Sequence, residues 1–111
     1  PHHGLFEKVA DHIVALNNMR SFKPQELSNL VWAYATAKQP HPGVFKKVSD
    51  HIVAIDKLEL FKPQELSNLV WAYSTAGKPR RGLFEKVANH VVTLDDLGSF
   101  KPQGLSNLVW A

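Results

Sequence analysis

Residues Phe22–Tyr34 read "FKPQELSNLVWAY", and the same thirteen letters return at Phe61–Tyr73. A third copy, "FKPQGLSNLVWA", runs from Phe100 to Ala111. The segment predicts a helix. Pro24 suits the first turn, where a missing N–H costs nothing. Glu26 favours the positive end of the helix dipole. With Lys23 as N-cap, Phe22 and Leu27 stand at the spacing of a hydrophobic staple. Lysine is a poor cap, since Ser, Thr or Asp would accept a bond from the first turn. Leu27, Leu30, Val31 and Tyr34 fall at i, i+3, i+4 and i+7, forming one apolar stripe. Trp32, Ala33 and Ala35 lie off that stripe and are still apolar, so neighbours are expected on more than one side. Gln25, Ser28, Asn29 and Thr36 are left for a polar edge. This A helix is expected over Pro24–Ala37.

The spacing of the copies organises the whole chain. Trp32, Trp71 and Trp110 lie 39 residues apart, as do Pro1, Pro40 and Pro79, and His12, His51 and His90. The first two blocks, 1–39 and 40–78, agree at 26 of 39 positions without a gap. The third, 79–111, follows the same pattern. A fixed period in this range is the mark of a repeat architecture. It also argues against an enzyme, because a catalytic constellation is single and nearly every polar candidate here occurs in each block.

Between the copies, "KQPHPG" and "GKPRRG" are Pro/Gly turns that end one helix and start another. The B helices that follow are expected over Gly4–Leu16, Gly43–Ile55 and Gly82–Leu94. In the first, Leu5, Val9, Ile13 and Leu16 line one face with Phe6 beside them, while Glu7, Lys8, Asp11 and His12 take the other. The expected fold is all-α: an α-solenoid of helical hairpins with a right-handed superhelix. All 111 residues form a single solenoid fragment. Neither end shows a polar capping unit, so a monomeric piece of a longer array is expected.

Bulk composition is consistent with this. An apolar fraction of 44% with 21% charged residues fits a folded chain. Without cysteine there is neither disulfide nor thiolate metal site. A net charge of +3 is compatible with an anionic partner. No run is long enough for a membrane span.

With these motifs in view, "FKPQELSNLVWAYATA" resembles the first helix of the octotricopeptide repeat family. The Pro-Gln-acidic-Leu start is present at Pro24–Leu27 and Pro63–Leu66, and the Leu-Trp-Ala-type core at Val31–Ala33 and Val70–Ala72. The family's Pro-rich turn followed by Glu-Trp matches loosely. "PHPGVF" keeps Pro40 and Pro42 but has Gly43 and Val44 at the pair, and "PRRGLF" keeps only Pro79. Similar Leu-Trp-Ala helices occur in apicomplexan repeats and in proteins with a C-terminal RAP domain. The resemblance implies binding of single-stranded RNA, in organelle RNA metabolism and post-transcriptional regulation, in a chloroplast or mitochondrion.

Several residues are candidates for contact. Lys23, Lys62 and Lys101 would form a ladder of phosphate contacts, one per unit, beside helix N-termini. Lys38, Lys78, Arg80 and Arg81, with His41 and the first block's His2 and His3, cluster at the far end of the A helices. Plain surface charge is the alternative for both groups. Asn29, Asn68 and Asn107 are poor mid-helix residues. They either bond a neighbouring unit's backbone, the favoured reading, or face a ligand groove. Trp32, Trp71 and Trp110 are expected to fill the seam between units, with base stacking as the alternative. Ala35 and Ser74 differ between copies and are the first places to seek a per-repeat code. His12, His51 and His90 are read as surface or core-edge residues. One histidine per unit at a spacing of roughly 10 Å does not converge on an ion. No nucleotide-binding or metal motif appears, so no cofactor is expected.

Two functions remain open at this point. One is an RNA-binding scaffold. The other is an armadillo-like scaffold, in which asparagines and tryptophans grip an extended peptide or protein segment. The charge of the groove separates them.

Overall fold

Proline starts the helices where the repeat places it. The computed structural model describes residues 2–56, 58–78 and 80–110. It contains α1 (His3–Ala15), α2 (Pro24–Thr36), α3 (Pro42–Ala54), α4 (Pro63–Thr75), α5 (Arg81–Val92) and α6 (Pro102–Trp110). Among the described residues there is no strand. The A helices are α2, α4 and α6; the B helices are α1, α3 and α5. Observed bounds lie within about two residues of those expected from pattern, the ordinary scatter of helix ends.

Lys23 and Lys62 are the N-caps. An ammonium has no lone pair, so only the return half of a capping box forms. The Glu26 carboxylate accepts the Lys23 backbone N–H at 2.8 Å, and Glu65 accepts that of Lys62 at 2.7 Å. α2 and α4 each end in a left-handed residue, Lys38 at φ 57° and Gly77 at φ 66°. Behind it, Gln39 N–H reaches Tyr34 O and Lys78 N–H reaches Tyr73 O, each at 3.0 Å. This is the Schellman closure. The Lys38/Gly77 difference between copies therefore falls at the position where backbone geometry favours glycine.

Within each of the first two hairpins a tyrosine ties the A helix to its B helix. Tyr34 donates its hydroxyl to Phe6 O and Tyr73 to Phe45 O, both at 2.6 Å. The same rings meet edge to face at 4.9 and 5.0 Å. Leu27, Val31 and Tyr34 of the apolar stripe are buried, as are Leu66, Leu69, Val70 and Tyr73 in the next copy.

Successive hairpins then pack in two rows. α2 packs on α4 and α4 on α6; α1 packs on α3 and α3 on α5. Equivalent helices thus lie side by side. The result is compact: the radius of gyration is 13.6 Å, against about 13 Å expected for this length. Its extents of 43 × 27 × 21 Å are longest in one direction.

Polar contacts stitch the rows. Buried Ser28 donates to Glu65 O at 3.0 Å. The Lys47 ammonium donates to Val14 O at 3.3 Å and to Leu16 O, at the carboxyl end of α1. One unit on, Lys86 donates to Ile52 O at 2.9 Å, Val53 O at 3.1 Å and Ile55 O, at the end of α3. α1 and α3 are thus each capped by a lysine of the next B helix, a favourable charge for the negative end of a helix. Burial pulls the Lys86 pKa below the ordinary lysine value, with Asp56 opposing.

Candidate nucleic-acid interface

The A-helix row presents one stripe of side chains. Gln25, Asn29, Trp32 and Thr36 stand at i, i+4, i+7 and i+11, a spacing that keeps them on one helix face. All four are exposed. Gln64, Asn68, Trp71 and Thr75 repeat the stripe on α4, and Gln103, Asn107 and Trp110 repeat it on α6. Trp32, Thr36, Gln64, Asn68, Trp71, Lys101, Gln103 and Asn107 line one cleft of about 360 Å³. Ala35, Thr36, Lys38, Pro40, Trp71 and Thr75 line another of about 510 Å³ beside it.

The tryptophans differ from expectation. They are not buried in the seam: Trp32 is 43% exposed and Trp110 exposed, while Trp71 is half-buried and packs against the core. Trp32 follows Val31, so it points about 100° away from the buried stripe. Trp32 and Trp71 touch across the row at 6.4 Å between ring centroids, tilted by 36°. The asparagines also differ. The bond to a neighbouring unit's backbone is made by Ser28, the residue before Asn29. Asn29 is exposed, while Asn68 and Asn107 line the groove. Gln64 Nε2 donates to Asn68 Oδ1 at 2.8 Å, which orients the Asn68 amide.

The predicted cations fall into three sets. Lys23, Lys62 and Lys101 are exposed at or next to the amino ends of the A helices. Lys38 and Lys78 lie past the carboxyl ends of α2 and α4, about 20 Å away along a 13-residue helix. Arg80 and Arg81 stand on the B-helix side and are engaged. Arg80 bonds Asp50 at 3.1 Å, and Arg81 bonds Glu85 at 2.8 Å. Lys46 also bonds Asp50, at 2.7 Å, and with Arg80 holds that carboxyl below its usual range. Ala35 is buried and offers only a methyl to the cleft wall; Ser74 is half-buried.

Burial lowers the His51 pKa, in keeping with a core-edge position. A different trio does come together. Ligand atoms of Glu7, Asp11 and His41 lie within 4.8 Å of one another. One unit on, the same positions are Lys46, Asp50 and Arg80, which form the ion pairs just described. In the first copy, by contrast, His41 Nδ1 is buried and has no hydrogen-bond partner among the described residues.

Residue patterns alone under-read two features. Gln25, Gln64 and Gln103 belong to the exposed stripe, and their helical spacing from the asparagines and tryptophans was the available signal. Lys8, Lys47 and Lys86 recur at 39 residues like the other ladders. Their capping role depends on where the preceding helix ends in space.

No protein-family model, curated protein or solved structure matches the chain.

Proposed function

We propose that the chain is an α-solenoid of 39-residue helical hairpins with a right-handed superhelix, whose A-helix face binds single-stranded RNA. The observation that carries this reading is the Gln-Asn-Trp stripe, repeated on three adjacent helices with lysines at its ends. Exposed indoles stack on bases of any identity. Amide side chains meet base edges, and lysines neutralise phosphates. The stripe is the same in each unit, so each unit offers the same contacts and the reading is tolerant of sequence. The resemblance to octotricopeptide repeats supports the same partner, and with it a role in chloroplast or mitochondrial RNA metabolism. Among the described residues no helix is long and apolar enough to cross a membrane.

All three tryptophans lie on this face, so intrinsic fluorescence is a direct reporter. Single-stranded RNA should quench it saturably. If about three phosphates are neutralised at roughly 0.7 each, an approximately fourfold rise in salt weakens binding about twentyfold. Trp71→Ala should cost about 1–3 kcal/mol, the range for one stacked base. Changing Lys23, Lys62 and Lys101 to Gln should weaken all RNA sequences alike. The absence of quenching by any single-stranded RNA would overturn the reading.

One observation favours a second reading: the middle of the stripe carries no charge. An extended peptide gripped by Asn29, Asn68 and Asn107 would then be the ligand. Its binding would quench the same indoles and change little with salt.

A further inference from the structure

One corner of the repeat changes its charges between copies. Glu7 and Asp11 stand at i and i+4 on α1, on one face of the helix and both exposed. His41, the N-cap residue of α3, meets them across the turn between the first two hairpins. The ligand atoms of the three side chains lie within 4.8 Å of one another. In the next copy the same positions are Lys46, Asp50 and Arg80, where two cations hold one carboxylate at 2.7 and 3.1 Å. The first copy has two carboxylates and an imidazole instead. Among the described residues neither Glu7 nor Asp11 pairs with a lysine or arginine. Like charges at i and i+4 repel, so this corner lacks the positive charge that its counterpart contains.

The imidazole adds an independent observation. His41 Nδ1 is buried without a hydrogen-bond partner among the described residues, whereas buried polar side chains ordinarily have one. Its ring does not serve as a helix cap, since no first-turn N–H bonds to it. Neighbouring residues hold it in place. Pro40 and Pro42 flank it, and Pro42 starts α3. Gly43 lets that start lie close against α1: a Cβ there would stand 2.7 Å from Val14 Cγ2 and 3.4 Å from His41 Nδ1. A cavity of about 350 Å³, lined by Glu7, His41, Tyr34 and Lys38 among others, gives water access to the trio. Stacking does not close this corner. The Lys46 and Asp50 side chains are 66% and 53% exposed although a hairpin precedes theirs. His41 also stands outside the ladder of His12, His51 and His90, because Arg80 takes its place one unit on.

We propose that Glu7, Asp11 and His41 bind one divalent transition-metal ion of the zinc class, with water completing its shell. The donor set carries the choice of ion. Calcium and magnesium take oxygen ligands, whereas an imidazole beside carboxylates suits zinc and its first-row neighbours. Ligands bound at about 2.0 Å around a tetrahedral ion stand roughly 3.3 Å apart. Rotation of the exposed Glu7 and Asp11 side chains closes the cluster from 4.8 Å to that distance. The ion then supplies the positive charge that Lys46 and Arg80 supply one unit on, and it ties α1 to the start of α3. The site is independent of what the A-helix face binds.

Isothermal titration of the chain with zinc chloride tests the proposal. The wild-type chain should take up one ion and melt at a higher temperature with it, and magnesium chloride should do neither. His41→Gln, Glu7→Gln and Asp11→Asn should each weaken the uptake at least about tenfold, the lower bound known for loss of groups that only support a ligand. Glu7→Lys combined with His41→Arg rebuilds the corner of the next copy, so this variant should keep its helices and bind no zinc. Replacing His2 and His3 together by alanine should leave the uptake unchanged. Affinity should fall below about pH 6.5, where the imidazole takes a proton. A wild-type chain that takes up no zinc, or takes up magnesium equally well, would overturn the proposal. So would uptake that survives His41→Gln, or uptake lost with His2 and His3.

Discussion

Ser28 and Ser67 are the same residue of the repeat in two environments. Both are buried, and Ser28 gives its hydroxyl to Glu65 O. The Ser67 hydroxyl has no partner among the described residues. Opposite it stands Gly104, where the other copies have glutamate. A Cβ on Gly104 would lie 2.6 Å from Ser67 Oγ, so α6 approaches α4 more closely than a side chain permits. The chemical consequence separates the two serines. Ser28→Ala should lower stability by about 1 kcal/mol, the net worth of one hydrogen bond. Ser67→Ala removes an unpaired buried hydroxyl and should leave stability unchanged or raise it by up to about 1 kcal/mol. Urea midpoints of the two variants measure the difference, and the opposite order would refute this account of the seam.

Among the elements, the B helices show how one unit supports the next. α1 and α3 have no acidic first turn and no side-chain cap at their amino ends. Their carboxyl ends are closed by the ammonium groups of Lys47 and Lys86. Lys47→Met keeps the aliphatic stem and removes the charge. It should destabilise by about 1 kcal/mol, the usual size of a cation at a helix carboxyl end. Amide exchange should quicken first at the end of α1. Lys46→Met is the control, because Lys46 is exposed and pairs with Asp50 at i+4. That pair should be worth about 0.2–0.5 kcal/mol. Equal effects of the two substitutions on the melting temperature would contradict the capping role.

For the molecule as a whole, the two tyrosines join both rows and link stability to pH. Burial raises the Tyr73 pKa strongly, and burial with the nearby Glu7 charge raises that of Tyr34. An unfolded tyrosine ionises at about pH 10. The folded state holds the neutral hydroxyl, so its stabilisation is complete below about pH 10. It is lost as pH rises towards the folded pKa. Thermal stability should therefore fall above about pH 10, and phenolate absorbance should appear together with loss of helix. Both tyrosines titrating near about pH 10 with the helices intact would show that these hydroxyls are not buried as described. Tyr34→Phe and Tyr73→Phe should each flatten the alkaline decline while lowering stability at neutral pH.

Much of the helical pattern follows from local rules that letters carry: proline at the first turn, an apolar stripe at i, i+3, i+4 and i+7, and Pro/Gly turns between helices. The 39-residue identity of the blocks also marks equivalent residues, and this is what makes the ladders of lysine, asparagine and tryptophan visible. Which side of a helix meets a neighbour is a different kind of fact. Trp32 is apolar and was expected inside, yet the stripe through Val31 takes the seam and turns the indole outward. Ser28 passes for an edge residue beside Asn29, but the approach of α4 buries it and leaves the asparagine on the open face. Lys47 and Lys86 look like solvent-facing charges until the preceding helix end is placed against them. Periodicity fixes directions around one helix axis, whereas burial depends on where a second helix lies, and that position is set by the packing of all the units together.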